Sequence, residues 1–349
     1  MSTHVLLLAP SANRVYAEAA IDLTVAEVSV FAQTVLPGRI RDVAATTIAG
    51  LPCVGFDADE LSTHDIALLS NVSSTYALFA VAGPDLLRPI EQRRLAWFDD
   101  DLITIPKYAG KTNEQFTHLL LNVTLLSSAW ASSLVEGGLR VLDPLCGRGS
   151  TLNQALVYGY DVAGIDLDGK DFEAYAGYLR TYLQRKRIKH KLETVPVRRN
   201  KRLVARRLTG SIVARGERPL SVDVVHARTA YFFGPGCEPG IAEAERVLRP
   251  GGVLAIVDLD ATVPPYGDWM RADLPRYDPA AVERFFARQG FTMRRIRTRW
   301  RFPDRITAEA VLRIEFSAAT ADRALGEFTG LELPVGYRLH VRRSGLHLR

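Results

Sequence analysis

Cysteine is scarce in this chain. Only Cys53, Cys146 and Cys237 occur in 349 residues, far apart and in no Cys-x-x-Cys or Cys/His ligand spacing, which argues against a disulfide framework and against a metal site. Long apolar runs are lacking too: no stretch approaches the ~18 uninterrupted apolar residues of a membrane span. The opening MSTHVLLLAPSANRVYAEAA has a short apolar run, Val5 to Ala9, without a basic leader before it, so it does not read as a signal peptide. These absences give the expectation of an intracellular, cytoplasmic protein with no membrane partner. Internal repeats and low-complexity tracts are missing as well. Hydrophobic residues at 47% and charged residues at 24% fit an ordinary globular chain. The length allows one large domain and a smaller one.

The net charge of +5 hides an uneven distribution. Arg185 to Arg218 holds 13 Lys or Arg and only two acids, Glu193 and Glu217, leaving 31 basic and 37 acidic side chains on the other 315 residues. The chain is a slightly acidic body carrying one basic block, either an attractor of polyanions or a solvated helix face and loop. The block lacks the interleaved aromatics of a single-strand stacking platform, Tyr182 alone lying nearby.

Residues 1–105 read as a small α+β unit that could help select an acceptor. Val5 to Ala9, Leu51 to Phe56 and Tyr76 to Ala82 suit strands, and Val15 to Ala32 suits a helix. The candidate boundary is Trp97 to Lys111, an acidic run followed by a proline and a glycine. A helix over Thr112 to Trp130, with an N-cap Thr or Asn, leads into the second unit, 106–349. From Arg140 strands and helices alternate, the pattern of a mostly parallel sheet with helices on both faces. Strands are expected at Arg140 to Leu142, Asp161 to Asp166, Lys189 to Val197, Val222 to Val225 and Val253 to Leu259. Helices are expected near Ser150 to Tyr158, Asp171 to Arg187, Gly240 to Leu248 and Pro279 to Arg288. Met293 to Phe302 and Ala310 to Phe316 read as closing strands, with a last one over Tyr337 to Arg342.

The densest chemical signal is Val141-Leu142-Asp143-Pro144-Leu145-Cys146-Gly147-Arg148-Gly149-Ser150-Thr151, an apolar strand ending in an acid, then a glycine turn opening a helix. In an open α/β sheet, ligands sit beyond the carboxyl ends of the strands. Glycines at 147 and 149 let backbone approach a ligand, and Asp143 suits a cationic amino group. Seventeen residues past Gly149, a second strand ends in Gly164-Ile165-Asp166-Leu167-Asp168, whose acid suits a ribose diol. A nicotinamide dinucleotide would need G-x-G-x-x-G for its pyrophosphate, but Leu152 takes the third glycine's place and an acid sits where phosphate would be repelled.

On these residues DPLCGRGST resembles the D-P-F-C-G-S-G-T motif of class I S-adenosylmethionine-dependent methyltransferases. The preceding KTNEQFTHLLLNVTLL resembles the pre-motif helix of tRNA guanine-N2 methyltransferases associated with THUMP domains. The likeness covers about residues 105–185. It implies a Rossmann-like sheet and S-adenosylmethionine as cofactor, with Asp143, Gly147 and Gly149 at its methionine half and Asp166 at its ribose. It also implies that Thr112, Asn113 and Phe116 close over it, while Pro144, Cys146 and Leu167 complete the cofactor-binding set. AERVLRPGGVLAIVDLD resembles, less specifically, the fifth-strand region of many small-molecule methyltransferases.

The pattern then breaks. Enzymes of this group that methylate exocyclic amines carry Asp or Asn, Pro-Pro, and Tyr or Phe after the fourth strand. Here that stretch is Asp223-Val224-Val225-His226-Ala227-Arg228-Thr229-Ala230-Tyr231-Phe232-Phe233, without the prolines or the acid but with an aromatic at Tyr231. His226, titrating near neutral pH, is the candidate general base, or equally a hydrogen-bonded structural histidine. Tyr231 is the second catalytic candidate, with loop packing as its alternative. Asp258 and Asp260 end the fifth strand and either line the acceptor side or serve turns. His118, among leucines, reads as a core histidine. Three functions follow: a methyltransferase for a small molecule or peptide, an RNA methyltransferase using Arg185 to Arg218, or a catalytically silent binder of cofactor and nucleic acid.

Overall fold

The computed structural model describes residues 2–345 except 12, 84–85, 107, 109–110, 200, 213–221 and 229–233. The first half begins with β1 (Ser2–Leu8), α1 (Arg14–Thr34), β2 (Ile40–Ile48), β3 (Leu51–Ala58), α2 (Thr63–Ser70), β4 (Thr75–Gly83) and β5 (Leu86–Ile90). These strands form one antiparallel sheet in the order β2-β3-β1-β4-β5. The apolar run of β1 is explained by its central place, since Val5 and Leu6 are buried with a strand on either side. Asn13 caps α1 by accepting the Tyr16 N–H at 3.2 Å, and Ser62 with Asp65 forms a capping box on α2.

The second half runs α3 (Glu114–Leu126), β6 (Arg140–Asp143), α4 (Ser150–Val157), β7 (Asp161–Gly164), α5 (Gly169–Arg185), β8 (His190–Arg199), β9 (Arg202–Ile212), β10 (Val222–Arg228), α6 (Glu238–Val247) and β11 (Leu248–Leu259). It closes with α7 (Tyr266–Asp273), α8 (Pro279–Arg288), β12 (Thr292–Arg301), α9 (Arg305–Glu315), α10 (Ala318–Glu327) and β13 (Glu332–Arg343). Its main sheet has the order β12-β13-β11-β10-β6-β7, with β6, β7, β10 and β11 parallel and β13 antiparallel to both neighbours. This is the Rossmann-like α/β sheet expected from the sequence. The chain leaves β6 toward β7 on one side and returns to β10 on the other, so the strand order reverses between β6 and β10. Such a reversal leaves a crevice at the carboxyl ends of the two strands.

The two sheets share one apolar cluster that runs from Leu6, Phe31 and Leu69 through Leu120 and Leu125 to Val224, Val257 and Leu339. A buried polar knot crosses the same junction. Glu27 of α1 accepts the Ser73 N–H and the Asn122 amide at 2.7 Å, and the Tyr158 hydroxyl donates to Asn122 Oδ1 at 2.6 Å. The opposite face of the main sheet packs Leu254 and Ile256 against Phe285, Phe286 and Trp269.

Two expectations are corrected. Lys189 to Val197 does form a strand, but among the described residues β8 pairs only with β9, in a separate antiparallel hairpin, and the basic stretch read as a loop is strand β9. Ala310 to Phe316 is not a closing strand: Ala310 to Glu315 is the second half of α9, and Phe316 is the extended residue that caps its end. Asp304 caps α9 by accepting the Thr307 N–H at 2.7 Å. Only Ala308 and Leu312 are buried there, four residues apart, while Ile306 and Ile314 are exposed, so the true period is helical.

Candidate functional site

Side chains alternate along a strand, so Asp143 shares a face with Val141, and His226 and Arg228 share it with Val224. The register Val141↔Val224 and Leu142↔Val225 then sets Asp143 beside His226, with Arg228 the next residue outward on that face. All three line a cavity of about 200 Å3 at the crevice. Tyr108, Thr112, Thr117 and Leu120 form its roof, and Leu145, Cys146, Gly147, Ser150 and Thr151 its glycine-turn wall.

The turn is built by local constraints. Gly147 (φ 52°) and Gly149 (φ 80°) are left-handed, and a Cβ on Gly149 would stand 2.2 Å from the Tyr175 ring. Asp166 pins the turn: one oxygen accepts the Gly147 N–H at 2.8 Å and the other the Asp168 N–H at 2.8 Å. Strand β7 ends at Gly164, two residues before that acid. Asp168 caps α5 through the Lys170 N–H at 2.7 Å.

Electrostatics in the cavity differ from those of free side chains. Burial pushes Asp143 up to about 6, against the pull of the Leu145 N–H, Thr151 and Arg228. The Cys146 thiol is pushed up to about 12 by burial and by Asp143 and Asp166 nearby, so it stays a thiol. His226 was expected to titrate near neutrality, but burial moves it down to about 4, with Arg228 adding to the effect. It is therefore uncharged at pH 7. The Thr124 hydroxyl donates to the Leu120 carbonyl at 2.8 Å, so the 2.8 Å contact between Thr124 and His226 Nδ1 assigns the ring proton to Nδ1. Nε2 is thereby the acceptor of a ring that lines the cavity.

The other expected residues are dispersed. Thr112 lines the cavity. Asn113 instead caps α3, accepting the Phe116 N–H at 3.0 Å, and Phe116 packs on Tyr337 at 5.1 Å. Pro144 lies in the turn outside the lining, and Leu167 is 92% exposed. Tyr231 lies outside the described residues. His118 packs in the core with its Nε2 on the Tyr158 hydroxyl. Asp260 serves a turn, its Oδ1 accepting the Thr262 N–H at 3.0 Å. It also borders a second cavity of about 250 Å3 with Val263, Arg297 and Pro334, which has no glycine turn. Arg228, Thr117 and Tyr108 were missed. For Arg228 the signal was present, because a residue two after His226 on a strand must share its face.

The lining suits a ligand with a cationic group but no phosphate, and Asp166, the acid expected at a diol, lies outside the lining with each oxygen accepting a backbone N–H. Leu152, 3% exposed, fills the space that a third glycine would open, since a Cβ on Gly164 would lie 2.5 Å from its Cδ1. Asp143 would repel a phosphate there. The buried Ser150 hydroxyl, in the cavity wall, has no hydrogen-bond partner among the described residues.

The basic block forms an arm. Leu192, Leu208 and Ile212 anchor the β8–β9 hairpin against Leu179, Tyr182 and Leu183, and nearer the tip Arg206 pairs with Glu173 in the first turns of α5. The hairpin thus runs along α5 toward the carboxyl edge of the sheet. Arg198, Lys201 and Arg202 are exposed, and Arg202 lies four residues beyond Arg206, about 13 Å of strand. Arg215, Glu217 and Arg218 lie outside the described residues.

No protein-family model and no curated protein matches the sequence. Among solved structures, a protein designated a methyltransferase from Bacillus halodurans C-125 is similar over 64% of this chain and 98% of its own, at 14% identity and a TM-score of 0.39. The cyclopropane synthase of Mycobacterium tuberculosis matches 70% of this chain and 94% of its own, at 17% identity and 0.35. A SAM-dependent methyltransferase of Geobacter sulfurreducens, solved with S-adenosyl-L-homocysteine, matches 58% and 84%, at 17% identity and 0.32. Likeness at this level carries no inference about chemistry.

Proposed function

We propose that this chain is an S-adenosylmethionine-dependent methyltransferase acting on a small molecule or peptide at nitrogen or oxygen. One observation carries the reading: Asp143 and Gly147 line one cavity at the point where the strand order reverses, and Asp166, outside that lining, holds the Gly147 N–H. In this reading Asp143 holds the donor's ammonium group, the glycine backbone lies along its methionine chain, and Asp166, with lone pairs beyond those used by the two N–H groups, takes the ribose. When bound, the donor supplies an electrophilic methyl group on a sulfonium. The protein's part is to hold an acceptor lone pair in line with it under the roof of Thr112, Thr117 and Leu120. His226, neutral and with Nε2 as acceptor, orients or takes the acceptor's proton. We take residues 1–105 as the unit that selects the acceptor and 106–349 as the catalytic unit.

The segment 105–185 resembles the THUMP-associated tRNA guanine-N2 group in pattern, but the fourth strand ends in His226 and Arg228, without that group's acid and prolines. That speaks against gripping an exocyclic amine. A second reading, RNA as acceptor, is favoured by the basic hairpin that reaches past α5 on the crevice side. The deciding experiment incubates the protein with methyl-labelled cofactor and fractionated cell extract. Label is expected in small molecules or peptides; label in RNA selects the second reading. Cofactor binding with no labelled product in any fraction would sink both and leave a silent binder.

A further inference from the structure

His226 is held by a helix at one ring nitrogen and left open at the other. The residue sits inside the main sheet, in register with Ala255 of β11, and is 2% exposed. Nδ1 meets the fully buried Thr124 of α3 at 2.8 Å, and Thr124 gives its only hydroxyl proton to the Leu120 carbonyl. The helix is fixed there, because Asn122 donates to Glu27 and to the Asn71 carbonyl, each at 2.7 Å. Nδ1 therefore carries the ring proton, and Nε2 presents a lone pair. Among the described residues the Thr124 contact is the only hydrogen bond of this ring. A buried ring nitrogen needs a partner. His118, on the same helix, has the Tyr158 hydroxyl at its Nε2; for His226 the partner has to come from the cavity that it lines.

Such a partner must bring a hydrogen, which a carboxylate, a thioether and a tertiary amine do not. An aliphatic amine arrives as an ammonium, too weak an acid to give its proton to a ring that burial holds down to about 4. A hydroxyl differs: bonding its oxygen to carbon makes an oxonium, an acid strong enough for that ring. We propose that the methyl acceptor is a neutral hydroxyl that donates to His226 Nε2, and that Thr124 is the positioning residue that keeps this nitrogen unprotonated. The proposal rests on the donor reading given above and narrows its acceptor to oxygen. In the step, the hydroxyl oxygen bonds the methyl carbon as the carbon–sulfur bond breaks and its electron pair stays on sulfur. The oxygen's proton passes to Nε2 and from there to water, and the product is a methyl ether.

Two measurements on the full chain test this. The first needs no substrate. Nitrogen NMR of histidine-labelled protein, with His226→Gln to assign the signal, should show His226 neutral at pH 7 with its proton on Nδ1. In Thr124→Val the proton should move to Nε2, and in Thr124→Ser it should stay. A wild-type ring that is charged, or protonated on Nε2, overturns the proposal even if neither variant folds. The second follows methyl-labelled cofactor into fractionated extract. The product should be a methyl ether by mass spectrometry and survive mild alkali; a methyl ester or a methylamine overturns the hydroxyl. Thr124→Val should lower the rate at saturating cofactor on the order of a hundredfold, with the cofactor KM unchanged. Thr124→Ser, which keeps the hydroxyl, should come within about threefold of the wild type. Equal rates in all three overturn the positioning role. If the wild type neither binds S-adenosylhomocysteine nor transfers label, the donor reading fails and this proposal with it, a result distinct from a wrong tautomer or a wrong product.

Discussion

Two acid–arginine couples sit at the carboxyl edge of the main sheet, on opposite faces. Asp143 and Arg228 open onto a cavity beside a glycine turn. Asp258 and Arg338 are register partners on β11 and β13, both fully buried, on the face that packs against α8. Arg338 donates to the Pro279 carbonyl at 3.3 Å and to the Tyr277 hydroxyl, while both Asp258 oxygens lack hydrogen-bond partners among the described residues. Burial pushes Asp258 up to about 7, further than Asp143. A strongly perturbed acid is thus no guide to a site by itself. What separates the couples is the space in front of them and the backbone that shapes it.

That contrast is open to attack, the largest effects first. Asp143→Ala should weaken S-adenosylhomocysteine on the order of a hundredfold by calorimetry, as for a lost buried charge contact, whereas Asp258→Ala should leave it within twofold. Equal losses would erase the distinction. Gly149→Ala combines a left-handed backbone with a Cβ driven into Tyr175, so binding should fall ~10–100-fold. Gly147→Ala, whose Cβ meets nothing closer than the Tyr108 hydroxyl at 3.8 Å, should suffer less. Arg338→Met should lower unfolding stability by ~3 kcal/mol in a denaturant titration, because it leaves Asp258 without its nearest cation, and should spare ligand binding.

The couples should also differ in pH response. If Asp143 must be ionised to hold an ammonium group, ligand affinity falls as pH drops through about 6, and Asp143→Asn flattens the curve. A pH-independent wild type would break that link. Asp258 acts on stability with a defined sign. Its folded pKa lies above the ordinary aspartate value, so the fold binds its proton more tightly than the unfolded chain does. The stability it contributes is full below the ordinary aspartate range and is lost as pH rises through about 7. Asp258→Asn should therefore gain on the wild type between pH 6 and 8, on the order of 1 kcal/mol by thermal melts. The smallest effect is expected at the arm. Arg198→Ala with Arg202→Ala should leave S-adenosylhomocysteine affinity unchanged. If RNA is the acceptor, the same pair should flatten the salt dependence of RNA binding.

Legibility followed the density of backbone demands. From β6 to α5, an acid, two glycines and a second acid each do something no other residue does there, and the elements could be read in order and to within two residues at their ends. Helix α8, bounded by Asp278-Pro279 and Gly290, was equally plain. In β8 and β9, by contrast, charge obscures alternation, and their anchors Leu192, Leu208 and Ile212 are too sparse to reveal a strand pair. Helix α9 misled for the opposite reason: Val311, Ile314 and Phe316 suggest a strand, but burial falls on Ala308, Val311 and Leu312 at helical spacing while Ile314 is exposed. Arg228 is not one of the residue types that the resemblance marks in this segment, so only strand alternation from His226 points to it. The cation standing there was visible throughout.

The knot of Glu27, Ser73, Asn122 and Tyr158 bears on how this molecule can be re-engineered. A chimera that exchanges the first hundred residues with those of a relative would bring in a foreign α1 and leave the Asn122 amide facing whatever replaced Glu27. It would also replace half of a shared apolar interior. Grafts confined to exposed turns of the first sheet keep that seam intact, whereas cutting the chain in two breaks it.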